Sequence, residues 1–193
     1  GRFLEHGYGY VSRIPVAQDA SNQGLQIYSL LLRDEDSARS TNVTPDSQPQ
    51  DLYNMVSDRV IARLKDSDHP FAEGWLKFGI TRATTKRQSM VLVYGSTKQS
   101  CKEYTIEWFQ DMLVRPGVEN PFEEVFKPCI YLSDLIWDSI TDVVTSARIG
   151  MDWLREVARI CMKHKVNPMW TTPSGFLVKQ LYEKQASYEV KTS

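Results

Sequence analysis

Three cysteines in 193 residues leave little material for covalent or metal scaffolding. Cys101, Cys129 and Cys161 lie far apart, and no Cys-x-x-Cys spacing occurs. That argues against a zinc site and a disulfide framework, and it fits a reducing compartment. No run of about 18 apolar residues is present, so nothing reads as a membrane span. The first nine residues have no apolar core and do not read as a signal peptide. They also lack an initiator Met, so the start reads as an internal point of a longer chain. Net charge is nearly missing too: 23 basic against 24 acidic side chains give −1. As a sum, that speaks against a nucleic-acid partner. The sum says nothing of where the charges lie.

What is present is globular. The hydrophobic share is 41% and the charged share 24%, which excludes disorder and fibrous repeats and suffices for a buried core. No internal repeat occurs. Ile14 to Gln18 alternate as a short strand, with Asp19 at its end. Gly24 to Arg33 reads as a helix with Leu25, Tyr28, Leu31 and Leu32 on one side. Asp34 to Gln50 is polar, holds two prolines and reads as a loop. Leu52, Val56, Val60 and Leu64 recur every four residues, as on a helix. Asp68 could cap a short helix through Trp75 and Phe78. A helix is expected from Thr81, its N-cap, to about Tyr94, with Gly95 as the stop. Residues 103–113 read as another. A long apolar-periodic region runs from Ile130 to His164, with a bend expected at Gly150. Trp170 to Phe176 reads as a hairpin turn between two short strands. The fold class expected is mostly α with a small β component, α+β.

The span from Arg82 to Lys102 holds five cations, Arg82, Lys86, Arg87, Lys98 and Lys102, and no acid. The near-zero sum therefore hides one positive element. Arg82, Lys86, Met90 and Tyr94 are four apart, a stripe about 18 Å long that drifts by about 40° per step. Its cationic end is near the helix N-terminus, where free N–H groups and the dipole also favour an anion. Met90 and Tyr94 add an apolar shelf and a hydroxyl. A nucleoside triphosphate has that polarity. A solvated basic face with Met90 and Tyr94 in the core is the plainer reading of the same pattern.

Arg82-x-x-x-Lys86-x-x-x-Met90-x-x-x-Tyr94-Gly95 resembles the fingers motif of the single-subunit RNA polymerases of bacteriophages and mitochondria. The string Thr81-Arg-Ala-Thr-Thr-Lys-Arg-Gln-Ser-Met-Val-Leu-Val-Tyr-Gly-Ser96 is similar to that family almost throughout. Upstream, Pro15-Val-Ala-Gln-Asp19-Ala-Ser-Asn-Gln-Gly24-Leu-Gln26, followed by Leu32-Arg33-Asp34, resembles the palm motif with a catalytic aspartate. Weaker likeness continues through Asp51-Leu-Tyr53, Leu135-Ile-Trp137 and Trp170 to Phe176, in the family's order.

The resemblance implies the palm–fingers portion of a right-hand polymerase. Residues 1–50 would belong to the palm, 51–165 to a helical fingers region, and 166–193 to a short hairpin and a truncated end. It implies DNA-templated RNA synthesis, with a DNA template, an RNA transcript, ribonucleoside triphosphates and the remainder of the polymerase chain as partners, and no membrane. It implies Mg²⁺ held by the Asp19 carboxylate and the Ala20 carbonyl, hard oxygen donors suited to that ion. The family usually has Gly where Ala20 stands. Arg82 and Lys86 match residues that hold the triphosphate and offset charge on the leaving pyrophosphate. Tyr94 matches the residue that senses the 2′-hydroxyl. Tyr53 matches a tyrosine lining the nucleotide site, and Met90 a packing residue near the nucleotide; Gly95 completes the motif. The expected compartment is a host cytoplasm or a mitochondrial matrix.

Related family A DNA polymerases carry a Glu five residues after the palm Asp, which blocks a 2′-hydroxyl. Here that position is Gly24, and Met90 stands where they prefer Phe; both point to ribonucleotides. The family's second catalytic aspartate sits in a His-Asp-Ser hairpin. His6, His69 and His164 are followed by Gly7, Pro70 and Lys165, so that motif is absent and the chain alone is expected to be inactive. Two alternatives stay open: a family A-like DNA polymerase or primase fragment, and a non-catalytic helical module that binds nucleic acid.

Overall fold

The four-residue recurrence from Leu52 to Leu64 builds the central helix of the protein. In the computed structural model, which describes residues 2–13, 15 and 22–181, the helices are α1 (Arg2–His6), α2 (Gln23–Leu31), α3 (Glu35–Ser40), α4 (Leu52–Lys65), α5 (Ala72–Phe78), α6 (Arg82–Val91), α7 (Lys98–Leu113), α8 (Phe126–Val143) and α9 (Thr145–His164). Short 3₁₀ turns cover Gly7–Gly9 and Leu92–Tyr94, and two strands, β1 (Met169–Thr171) and β2 (Leu177–Lys179), complete the described elements. Apart from Pro15, the expected strand at 14–18 lies outside the described residues, as do Asp19 and Ala20. Among those described, the protein is mostly helical with one small antiparallel hairpin, in the register Met169↔Lys179, Trp170↔Val178 and Thr171↔Leu177. No described helix is long and apolar enough to cross a membrane.

α4 starts at Asp51, whose carboxylate accepts the N–H groups of Tyr53 (2.9 Å) and Asn54 (3.3 Å). That cap satisfies donors the first turn would otherwise leave open. The helix buries Leu52, Val56, Val60 and Leu64 against α8, which buries Cys129, Leu132, Ile136 and Ile140. α7 packs on the same helix through Cys101 and Phe109. Trp75 of α5 closes the end of this core. Its ring lies edge-on to Phe109, centroids 4.8 Å apart, and its indole N–H donates to the Pro128 carbonyl at 3.0 Å. Truncating a phenylalanine buried like Phe109 costs about 3–5 kcal/mol. Cys101 and Cys129 sit in this apolar setting. Burial pushes both thiols up to about 12.

Three expectations are corrected. Residues 34–50 are not all loop: Asp34 caps α3, its carboxylate accepting the Ser37 N–H (3.1 Å) and hydroxyl (2.5 Å). A short polar helix of this kind has no apolar stripe to announce it. Asp68 does not cap α5, which begins at Ala72 without a side-chain cap. The preceding turn is closed by His69, whose Nδ1 accepts the Phe71 N–H at 3.3 Å. The break in the long apolar region falls at Val144 (φ −125°, ψ 49°), and Gly150 lies inside α9. There a Cβ would stand 2.7 Å from Tyr28 Cε1, so this glycine serves the close approach of α2 to α9.

Candidate functional site

α6 inverts the usual amphipathic arrangement. Its buried residues are Thr84, Thr85, Gln88 and Ser89, all polar. The Thr85 hydroxyl donates to the Tyr53 carbonyl of α4 at 2.9 Å. The Gln88 amide donates to the Thr105 hydroxyl of α7 at 3.1 Å. Ser89 donates back to the Thr85 carbonyl at 2.8 Å. The helix start is fixed by the Thr84 hydroxyl, which accepts the Thr81 N–H at 3.0 Å. With these residues inward, Arg82, Lys86 and Met90 face outward.

They face a cleft of about 320 Å³ lined by Asn22, Gln23, Gly24, Leu25, Tyr53, Arg82, Lys86, Met90, Val93 and Tyr94, a size ordinary for a small-molecule site. Tyr53, Arg82, Lys86, Met90 and Tyr94, read as candidates from the sequence, thus line one cavity. Gly95 is not in its lining. It ends the Leu92–Tyr94 turn with a left-handed backbone (φ 89°) that favours glycine. Met90 is not a core residue; it is 45% exposed. The helix expected through Tyr94 tightens into 3₁₀ geometry for its last three residues, and Tyr94 is left 80% exposed at the cleft mouth. Tyr53 is buried, and its ring lies under Arg82, 4.8 Å from guanidinium carbon to centroid. Asn22 to Leu25, at the start of α2, were not foreseen as lining apart from Gly24. Periodicity within one helix does not reveal which distant element faces it.

The cations of the 82–102 span are less free than their density suggests. Arg82 Nε donates to Asp51 Oδ2 at 2.6 Å. Arg87 pairs with Glu107 and stacks over Tyr104, and Lys98 pairs with Asp134 at 3.1 Å. Lys86 has no ion pair among the described residues. The Asp51 carboxyl is a balance: burial opposes its charge, but the hydrogen bond from Arg82 and the N–H groups of Asn54 and Tyr53 outweigh it and hold the group below the usual carboxylate range.

Gly24 sets one wall of the cleft. A Cβ there would lie 2.6 Å from Val93 Cγ2, so a bare α-carbon is what lets α2 meet the 3₁₀ turn. Behind this contact lies an apolar groove of about 430 Å³ between α2 and α9, which shares Gly24, Val93 and Tyr94 with the cleft.

A family model of DNA-dependent RNA polymerase matches residues 3–193. The chain belongs to the DNA-dependent RNA polymerase family. Among polymerase relatives, the DNA-directed RNA polymerase of Enterobacteria phage T3 is 29% identical over 222 residues, covering 93% of this chain and 25% of the relative. That of Pseudomonas phage phiKMV is 34% identical, covering 95% of this chain and 23% of the relative. The mitochondrial DNA-directed RNA polymerase of Homo sapiens is 33% identical, covering 90% and 14%. The chain spans about a quarter of the length of the first phage relatives it matches. As a member of an RNA polymerase family it stands apart from the family A DNA polymerase alternative. No group of three His, Cys, Asp or Glu side chains suited to a metal ion occurs among the described residues of this polymerase-family chain.

Proposed function

We propose that the cleft receives a ribonucleoside triphosphate, and that the chain supplies the nucleotide-selecting part of a site for DNA-templated RNA synthesis. The observation that carries this is the joint lining: two cations from the first turns of α6, with Met90 and Tyr94 toward its other end, in one cavity. Lys86 and Arg82 face the phosphates and offset charge that gathers on the leaving pyrophosphate. Lys86 brings a charge with no ion pair among the described residues, whereas Arg82 shares its own with Asp51. Met90 offers an apolar shelf to the base. Tyr94 presents its hydroxyl to the 2′-hydroxyl, and Gly24 leaves the ribose edge free of a side chain. Asp19 and the Ala20 carbonyl, outside the described residues, are the hard oxygen donors that would hold Mg²⁺. When bound, that ion supplies charge neutralisation on the phosphates and activation of the primer hydroxyl. A DNA template, an RNA transcript and the rest of a longer polymerase chain are the partners this reading requires.

Calorimetric titration of the 193-residue protein with ATP and dATP tests it. Lys86→Ala is expected to weaken both nucleotides about tenfold or more. Tyr94→Phe is expected to lower the preference for ATP while leaving dATP affinity in place. If Lys86→Ala bound ATP as the parent does, the triphosphate reading of the cleft would fail.

A further inference from the structure

Tyr94 projects from a short 3₁₀ turn, closes on a glycine and has little packing of its own. A single hydroxyl can select a sugar only if it is held within a few tenths of an ångström. Intrinsic 3₁₀ hydrogen bonds are too poor to supply that order. The contacts that reach this turn from outside it include two from α9. Arg155 Nη2 donates to the Ser96 carbonyl at 3.0 Å, 59 residues away in sequence. Its Nη1 donates to Asp152 Oδ1 at 3.0 Å, which fixes the plane of the guanidinium, a rigid fork suited to holding two acceptors at once.

One turn earlier on α9, Met151 rests on the same segment: its methyl is 3.8 Å from where a Cβ on Gly95 would be. The Met151 sulfur accepts the Tyr28 hydroxyl at 2.9 Å, and Gly150 makes room for that tyrosine. α2, α9 and the turn thus form one linked set of contacts behind Tyr94.

We propose that Arg155 is a positioning residue for ribose selection: by holding the Ser96 carbonyl it fixes the turn that presents Tyr94 to the cleft. The proposal rests on the reading of Tyr94 as the group that meets the 2′-hydroxyl. Arg155 is not among the residues that line the cleft, so its effect passes through the backbone of residues 94–96. The paired arrangement predicts a hierarchy. Lysine at 155 reaches the carbonyl with one donor and keeps part of the effect. Methionine keeps the apolar stem and loses all of it.

Two measurements on the 193-residue protein test this. The first is amide hydrogen exchange of residues 92–97. Arg155→Met is expected to speed exchange there at least tenfold, with α4 and α8 unchanged, and Arg155→Lys to fall between. The second is the ATP-to-dATP ratio of dissociation constants. Arg155→Met is expected to move it most of the way to the Tyr94→Phe value, with dATP affinity unchanged. The Tyr94→Phe, Arg155→Met double variant should be no worse than Tyr94→Phe alone. Unchanged exchange and an unchanged ratio in Arg155→Met would overturn the proposal. A parent protein that did not distinguish ATP from dATP would sink the ribose reading of Tyr94, and this role with it, whatever the exchange showed. A parent that discriminates, beside an Arg155→Met variant that discriminates equally, would remove the role of Arg155 alone. Should Arg155→Met lose protection in α4 and α8, Asp152→Ala decides by the same two readouts. It leaves the guanidinium in place without its orienting partner, and is expected to loosen 92–97 and lower the ratio by a smaller factor.

Discussion

Asp51 shows how one side chain serves two elements. One carboxylate oxygen caps α4 and the other accepts from Arg82 of α6. Its folded pKa lies below the unfolded one, so its contribution to stability is fully present above the unfolded value. It is lost as pH falls through the folded value. Asp51→Asn is therefore expected to lower the urea midpoint at pH 6 and to converge on the parent as pH drops through the carboxylate range. A constant gap between pH 6 and pH 2.5 would show that the charge is irrelevant and only the cap geometry counts. Neither role can be read from the sequence. Arg82 lies 31 positions away, and a cap is legible only once the helix start is known.

Between elements, the decisive contacts are made where side chains are missing. Gly24 lets α2 reach Val93, and Gly150 lets Tyr28 reach α9. Gly24→Ala is expected to destabilise the protein by about 1–3 kcal/mol, the usual cost of overpacking, even though alanine is the better helix former. Adding Val93→Ala is expected to restore most of the loss, read from denaturant midpoints of the four proteins in a double-mutant cycle. Additive losses would mean that the two positions do not meet. The same contrast explains what was legible beforehand. The α4 stripe, the α6 start at Thr81 and the 169–179 hairpin carry local signals: a four-residue period, a cap, a Thr-Pro-Ser-Gly turn. α3 has no apolar stripe, and its Asp34 cap does not stand out within a polar stretch. Gly150 misleads because a helix-weakening residue is retained where a neighbour needs the space. The cleft stripe of Arg82, Lys86, Met90 and Tyr94 was legible because it lies on one element. Of its opposite wall only Gly24 was; Asn22, Gln23 and Leu25, and the contact of Arg155 with Ser96, were not, because they depend on packing.

For the whole molecule, the arithmetic of metal chemistry sets the expected limit. On the proposed reading Asp19 is the one metal-holding carboxylate, and no His-Asp-Ser follows in these 193 residues. The purified chain is expected to bind nucleotide yet incorporate none on a primed template; template-dependent RNA synthesis by it would refute that assignment. The described residues also differ in chemical accessibility. Cys101 and Cys129 are shut inside the α4–α7–α8 core with thiols raised to about 12, and a thiol that stays protonated and enclosed does not alkylate. Cys161, partly exposed on α9, is left to react. A maleimide dye should therefore attach once, six residues beyond Arg155, giving the unaltered chain a built-in optical reporter on the helix that braces the Tyr94 turn.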